Sequence, residues 1–150
     1  MNKREYLKLL SAFAIAIGIT ATAIAAETPA TLAGTKVVTA AEVKKLQDGG
    51  TPVIDTRVAA EYAEKTIKGA KSVPYKEKSG KDVGFDASQD QFDLTKLPAD
   101  KAAALVLFCN AGECWKSYKA ATMAVKAGYG KVYWFRGGVP EWIAAGLPTQ

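Results

Sequence analysis

A chain of 150 residues, 49% of them hydrophobic, is long enough to bury one full core and short for two domains of ordinary size. Its formal net charge of +5 comes from lysines scattered through the sequence rather than gathered into a stripe with aromatic partners, which gives no footing for nucleic-acid binding. With no histidine anywhere, a Cys–His catalytic pair and a CxxCH haem attachment are excluded, and two cysteines leave a zinc site short of ligands, so neither metal nor cofactor is expected.

The chain opens on a targeting pattern. Lys3, Arg4 and Lys8 form a basic head, Leu9 to Ile24 an apolar body, and Ala23, Ala25 and Ala26 a small-residue cleavage region. Residues 1–26 are therefore expected to be a signal peptide, cut after Ala25 or Ala26, that exports the protein to the bacterial periplasm. A retained membrane anchor is disfavoured because Ser11, Gly18, Thr20 and Thr22 dilute the apolar run, and no cysteine near the cut offers a site for acylation. Processing lowers the net charge to about +3, a mild field that attracts small anions.

Residues 27–35 are small and polar with one proline and read as a flexible leader; the domain proper is expected over 36–150. A short strand over Lys36 to Val38 comes first. Thr39 and Glu42 then have capping-box spacing, and Val43 and Leu46 supply the buried stripe of a helix that Gly49 and Gly50 end. Pro52 to Asp55 is the next strand, and the DTR triplet Asp55 to Arg57 leads into a short helix over Val58 to Lys65. A carboxylate beside a guanidinium at a strand end fixes loop geometry. Ile67 to Tyr75 holds a glycine turn and a short strand stopped by Pro74. Lys76 to Gln91 is polar, with Gly80 and Gly84, and is expected as a surface excursion whose return Phe92, Leu94 and Leu97 anchor.

The stretch from Leu105 to Ser117, LVLFCNAGECWKS, organises the rest. Ala104 to Phe108 reads as a strand buried on both faces, stopping at Cys109 where Asn110, Ala111 and Gly112 supply a turn. A helix follows over Trp115 to Ala127, carrying Tyr118, Ala121, Thr122 and Val125 on one side, with Gly128 placed for a left-handed cap. Val132 to Phe135 forms a last strand, Gly137 and Gly138 a tight turn, and Val139 to Ala145 a closing helix with Trp142 inward. Strands alternating with helices over one domain predict an α/β fold, a mostly parallel sheet covered on both faces.

Cys109 thus stands at the mouth of a strand–loop–helix unit. Unpaired amides at the helix start and the helix dipole favour negative charge there, making Cys109 a candidate nucleophile activated by amides and cations. Cys114 lies five positions on. A structural disulfide would close a tiny loop and restrain little of the unfolded chain, so a reactive pair is the favoured reading.

The segments VIDTR at Val53 to Arg57, EYAEKTIKGAKSVP at Glu61 to Pro74, LVLFCNAG at Leu105 to Gly112, AGYGKVYWFRGGVPEW at Ala127 to Trp142 and AAGLP at Ala144 to Pro148, in this order, resemble the rhodanese family. The resemblance implies a single rhodanese-like domain with a five-stranded parallel sheet. It also implies that Cys109 accepts a sulfane sulfur as a persulfide and passes it to a thiophilic acceptor. The partners then expected are a small sulfur anion, thiosulfate or a polysulfide, and a thiol or protein acceptor, with no nucleic acid and no stable membrane insertion after processing. An anionic persulfide suits a loop whose amides face one sulfur; Asn110, Ala111, Gly112, Glu113, Trp115 and Lys116 are the expected cradle, and Lys116 and Arg136 the expected sulfonate ligands. Asp55, Arg57, Gly137 and Gly138 are expected to shape the site.

The family's GHIPGA is KTIKGA here, with Thr66 and Lys68 in place of histidine and proline. The loop departs further, placing Glu113, Cys114 and Trp115 where a basic residue and a small one are usual; a carboxylate at 113 would repel anionic donors if it faced the thiol. The ECW segment is similar to exported rhodanese-like proteins bearing a Cys-Trp pair and linked to redox metabolism, whose closer cysteine spacing is not reproduced because position 111 is alanine. Trp115 occupies the arginine position of the Cys-x5-Arg phosphatases, and indole offers no bidentate phosphate fork. The favoured function is a sulfurtransferase with Cys109 as carrier and Cys114 as second thiol; the alternatives are a thiol–disulfide redox protein and a non-catalytic module that binds or delivers sulfur.

Overall fold

The computed structural model describes residues 26–150, so the expected signal segment lies outside the described residues apart from Ala26. Strands β1 (Thr35–Val37), β2 (Val53–Asp55), β3 (Lys71–Ser72), β4 (Ala104–Phe108) and β5 (Lys131–Phe135) form one sheet in the order β1-β5-β4-β2-β3. Every pairing in it is parallel. Helices α1 (Ala40–Asp48), α2 (Ala59–Glu64) and α3 (Trp115–Lys126) make crossovers, α4 (Gly138–Ala144) follows the last strand, and short 3-10 turns at Ala87–Gln89 and Leu94–Lys96 punctuate the long connection between β3 and β4.

The middle strand β4 shows why the sheet is covered twice. Along a strand successive side chains point to opposite faces. Val106 and Phe108 join Val43, Phe135 and Trp142 in the core beneath α1 and α4, whereas Leu105 and Leu107 pack with Ala120, Ala121 and Ala124 of α3. The Thr39 hydroxyl accepts the Glu42 amide while the Glu42 carboxylate accepts the Thr39 amide, so the capping box forms as its spacing predicts. Gly128, at φ 99°, takes the left-handed conformation that closes α3.

Two segments are held more closely than their composition suggests. The leader does not stand free: Thr28 is buried, its amide and hydroxyl both donate to the Gly112 carbonyl at 2.8 and 2.7 Å, and Leu32 packs against the α3 face. Satisfying backbone groups on a neighbouring loop holds such a segment without a hydrophobic stripe of its own. The 76–91 excursion runs over the surface but is pinned to α3 by a buried polar cluster. The Lys119 ammonium is fully buried, donates to the Ser79 hydroxyl at 2.8 Å and carbonyl at 3.2 Å, and lies 2.9 Å from the Glu77 carboxylate as an ion pair rather than an aligned hydrogen bond.

Asp90 completes the cluster, accepting the Lys78 and Ser79 amides, both at 2.7 Å, and the Ser79 and Tyr75 hydroxyls, both at 2.6 Å. Burial by itself would raise its pKa; the Ser79 hydroxyl, the Tyr75 hydroxyl and the two amides outweigh that and hold it far below the usual carboxylate range. Burial and the same carboxylate push the Tyr75 phenol well above its ordinary value, so it stays a donor. A depressed carboxylate contributes stability that is complete above its unfolded pKa, about 4, and is lost as pH falls below that. Asp90→Asn should therefore lower the urea midpoint at pH 7 and flatten its decline from pH 4 downward; parallel acid limbs for both proteins would contradict this.

Candidate functional site

β4 ends at Phe108, and the next residue, Cys109, is gripped from two sides. The Val139 amide donates to its carbonyl at 3.1 Å, and Asn110 makes an antiparallel bridge to Gly138. Gly138 sits at φ 56°, and a Cβ there would overlap the Cys109 carbonyl oxygen, so only glycine lets the β5–α4 turn approach this closely. Gly137 lies under the Glu141 carboxylate, which accepts the Ala40 amide at 2.8 Å and ties α4 to α1. The glycine pair thus fixes the floor beneath the loop.

Residues 110–114 form the loop itself. The Cys114 amide donates to the Ala111 carbonyl at 3.2 Å, Cys114 is the N-cap of α3, and Cys109 and Cys114 are joined by a disulfide with their Cα atoms 6.4 Å apart. The loop mouth thus holds a bridged sulfur: Cys109 is only 1% exposed, and it acts as a nucleophile only after reduction. The amide cradle is not what faces the sulfur in this state. The Asn110 and Cys114 carbonyls lie 3.5 and 3.3 Å from Cys109 Sγ, the Ser117 hydroxyl lies at 3.3 Å, and no backbone amide among the described residues donates to it. A bridged sulfur carries no charge to stabilise, so the amides have no pull on it.

The DTR turn reaches the loop from β2. Arg57 donates to the Asp55 carboxylate through Nε at 3.0 Å and Nη2 at 2.7 Å, its amide caps the same carboxylate at 2.9 Å, and Thr66 adds a hydroxyl at 2.8 Å. From this anchored position the guanidinium donates to the Lys65 carbonyl at 2.7 Å and, more distantly at 3.4 Å, to the Asn110 side chain. The Asn110 amide group in turn donates to Glu61 at 2.6 Å, so its side chain is occupied as a loop brace.

The two expected sulfonate ligands part company. Arg136 is held by the N-terminal segment, donating to the Thr28 carbonyl at 2.8 Å, the Pro29 carbonyl at 3.1 Å and the Thr28 hydroxyl at 3.2 Å, with Glu27 as ion-pair partner at 3.3 Å. Its guanidinium also packs on Gly112, where a Cβ would come 2.7 Å from Nη2. Arg136 is thus a clasp for the leader, not a free anion ligand. Lys116 stays half-buried and, with Val58, Ala59, Pro74, Tyr75, Lys76 and Glu77, lines a cavity of about 380 Å³. A larger cleft of about 590 Å³ shares Pro74 and Lys76 with it, and neither is lined by residues 109–114. Glu113 is exposed and Ala111 and Gly112 half-exposed. Trp115 is buried against Tyr118, edge to face at 5.2 Å, and donates its indole N–H to the Ala26 carbonyl at 2.8 Å.

A parallel five-stranded sheet with a cysteine loop between its central strand and α3 is the arrangement the resemblance implied, and the rhodanese-like domain profile matches residues 39–145. The chain belongs to the rhodanese-like domain family. A relative from Allochromatium vinosum named sulfurtransferase is 28% identical over 96 residues, covering 64% of this chain and 75% of that protein. Among solved structures, the BH2092 protein of Bacillus halodurans superposes with a TM-score of 0.57 at 20% identity, covering 77% of each chain. A thiosulfate sulfurtransferase from Pseudomonas aeruginosa gives 0.53 at 22% identity, covering 77% of this chain but 20% of the other. These structural likenesses speak to the fold, and the name of the Allochromatium relative belongs to that protein.

Two residues at the site of this rhodanese-like domain, and one in the polar cluster on α3, escape sequence reasoning. Ser117 reads as an ordinary helix residue, yet it touches Cys109 Sγ and accepts the Trp134 indole N–H at 3.0 Å. Thr28 lies in a segment with no pattern. Lys119 carries a charge that periodicity places outside, although it falls between Tyr118 and Ala120 on the buried side of α3. The one available signal was its position three residues after Lys116 and one before the small residues of the α3 core.

Proposed function

We propose that this protein is an exported sulfurtransferase in which Cys109 carries sulfane sulfur and Cys114 resolves it. In the reduced protein the Cys109 thiolate attacks the outer sulfur of thiosulfate, the sulfur–sulfonate bond breaks, and sulfite leaves with its electron pair, giving a Cys109 persulfide. An acceptor thiolate or cyanide takes the outer sulfur and regenerates the thiolate. When no acceptor arrives, the Cys114 thiolate attacks Cys109 Sγ, hydrosulfide leaves, and the Cys109–Cys114 disulfide forms. Polysulfides serve the same loading step with a shortened polysulfide or hydrosulfide as leaving group, and organic persulfides with a thiolate. The observation that carries the reading is the covalent pairing of the two cysteines at the mouth between β4 and α3. An oxidising periplasm suits a chain whose two cysteines pair.

The same disulfide favours a second reading, a thiol–disulfide carrier that never holds sulfur. Mass spectrometry separates them. Reduced Cys114→Ser protein exposed to thiosulfate or polysulfide should gain one sulfur on Cys109, and reduced wild-type protein so treated should release hydrosulfide as its disulfide reforms. Unmodified Cys109 in the variant, with wild type losing two hydrogens and releasing no hydrosulfide, would leave the redox carrier standing instead.

A further inference from the structure

We infer that the Cys109–Cys114 disulfide opens from one side: a reducing thiolate enters at Cys114, and Cys109 departs as the thiolate that Ser117 receives. The inference rests on reading the pair as one that cycles, and it concerns the half of the cycle that returns the protein to its reduced state.

The two sulfurs are unlike. Cys109 is 1% exposed and lies behind the carbonyls of Asn110 and Cys114, whose negative ends repel an approaching thiolate. Cys114 is half-exposed at the N-cap of α3. Access therefore selects Cys114 as the sulfur attacked.

The leaving side is prepared as well. A bridged sulfur has no proton, so in the 3.3 Å contact between Cys109 Sγ and Ser117 Oγ the hydroxyl is the donor. Trp134 sets its direction. The indole N–H donates to Ser117 Oγ at 3.0 Å, occupying a lone pair and leaving the hydroxyl proton for the sulfur; Ser117 and Trp134 are both buried, out of reach of competing water. When the bond breaks, the new charge on Cys109 meets a hydrogen-bond donor already in place.

The charged groups around the loop are distributed evenly enough not to overrule this. Glu113 faces solvent, Lys116 stands in the first turn of α3, Asp55 and Glu61 are held by Arg57 and Asn110, and Arg136 by Glu27.

The step balances. The reductant, a dithiol or two monothiols, forms a bond from its sulfur to Cys114 Sγ; the Sγ–Sγ bond breaks and its electron pair stays on Cys109. A second reductant thiolate then attacks the reductant sulfur of the mixed disulfide, giving the oxidised reductant and a Cys114 thiolate. Between the two steps Cys109 is a free thiolate while Cys114 is still capped. A sulfur donor can load Cys109 in that interval with no resolving thiol present.

The test uses the oxidised protein with glutathione as reductant and no sulfur donor, so its outcome is independent of sulfur transfer; a protein that fails to form a persulfide can still pass it. Early samples are alkylated with a maleimide and cut after Glu113, which separates the two cysteines. Glutathione on Cys114 with maleimide on Cys109 is expected; glutathione on Cys109, or an even split, overturns the inference. Ser117→Ala should slow opening about tenfold and, in a Cys114→Ser background, move the Cys109 alkylation profile to higher pH. An unchanged rate and profile in that variant would remove Ser117 from the step.

Discussion

Once its disulfide is reduced, wild-type protein should transfer sulfur from thiosulfate to cyanide, and Cys109→Ser should bring that turnover to background, a fall of at least about 10³-fold for loss of a nucleophile. Cys114→Ser should keep it. The contrast follows from the roles the geometry supports. Cyanide removes the outer sulfur directly from Cys109, so the resolving thiol is not on that path, and its absence prevents diversion of the persulfide into the bridge. Without a reductant the wild type should be silent, because both sulfurs are committed to each other, while oxidised storage should leave Cys114→Ser competent. Equal loss in both cysteine variants would mean that the pair acts as a redox couple and that Cys109 alone is no carrier. Full activity in Cys109→Ser would take the loop out of the chemistry altogether.

Much of this arrangement was legible in the order of residues. Ala104 to Phe108 is apolar throughout because β4 is central and covered on both faces, and its stop at Cys109 marks the loop. The capping box at Thr39 and the glycine after α3 gave boundaries within a residue or two of those observed. What escaped depends on distant partners. A lysine is buried at position 119 because the 76–91 excursion folds back to supply Glu77, Ser79 and Asp90, some thirty to forty residues upstream, and no local pattern announces that return. Arg136 looked free because its partners are at 27–29, across the whole domain in sequence. The chain-entropy argument speaks only against a structural bridge and leaves the reactive pair standing. It weighs how much a bridge stabilises the fold, whereas the bridge forms because a five-residue step from β4 to α3 returns one Sγ to the other.

Arg57→Ala is expected to be the most damaging substitution outside the cysteines, lowering stability by about 3–5 kcal/mol, the usual cost of stripping a partner from a buried charge. Asp55 is fully buried and Arg57 nearly so. Without the guanidinium, the carboxylate would keep only the Thr66 hydroxyl and the residue 57 amide, too few donors for a charge in the interior. A loss of this size is a large part of the 5–15 kcal/mol by which domains are ordinarily stable. Pairing the change with Asp55→Asn should recover part of it, since a neutral amide oxygen still accepts from Thr66 and from the backbone; a coupling of about 1–3 kcal/mol by urea unfolding is expected for groups in direct contact. Additive losses would show the two side chains to be independent. The ion pair also has a reach beyond stability. Arg57 touches Asn110, whose side chain is braced from the other side by Glu61. In the double variant, folded but lacking the guanidinium, the loop keeps one brace of two, and sulfur transfer should fall while the fold survives. Retained activity there would make the DTR turn a support for the sheet alone, and would leave Glu61 and the glycine floor at Gly138 as what holds Cys109 in place.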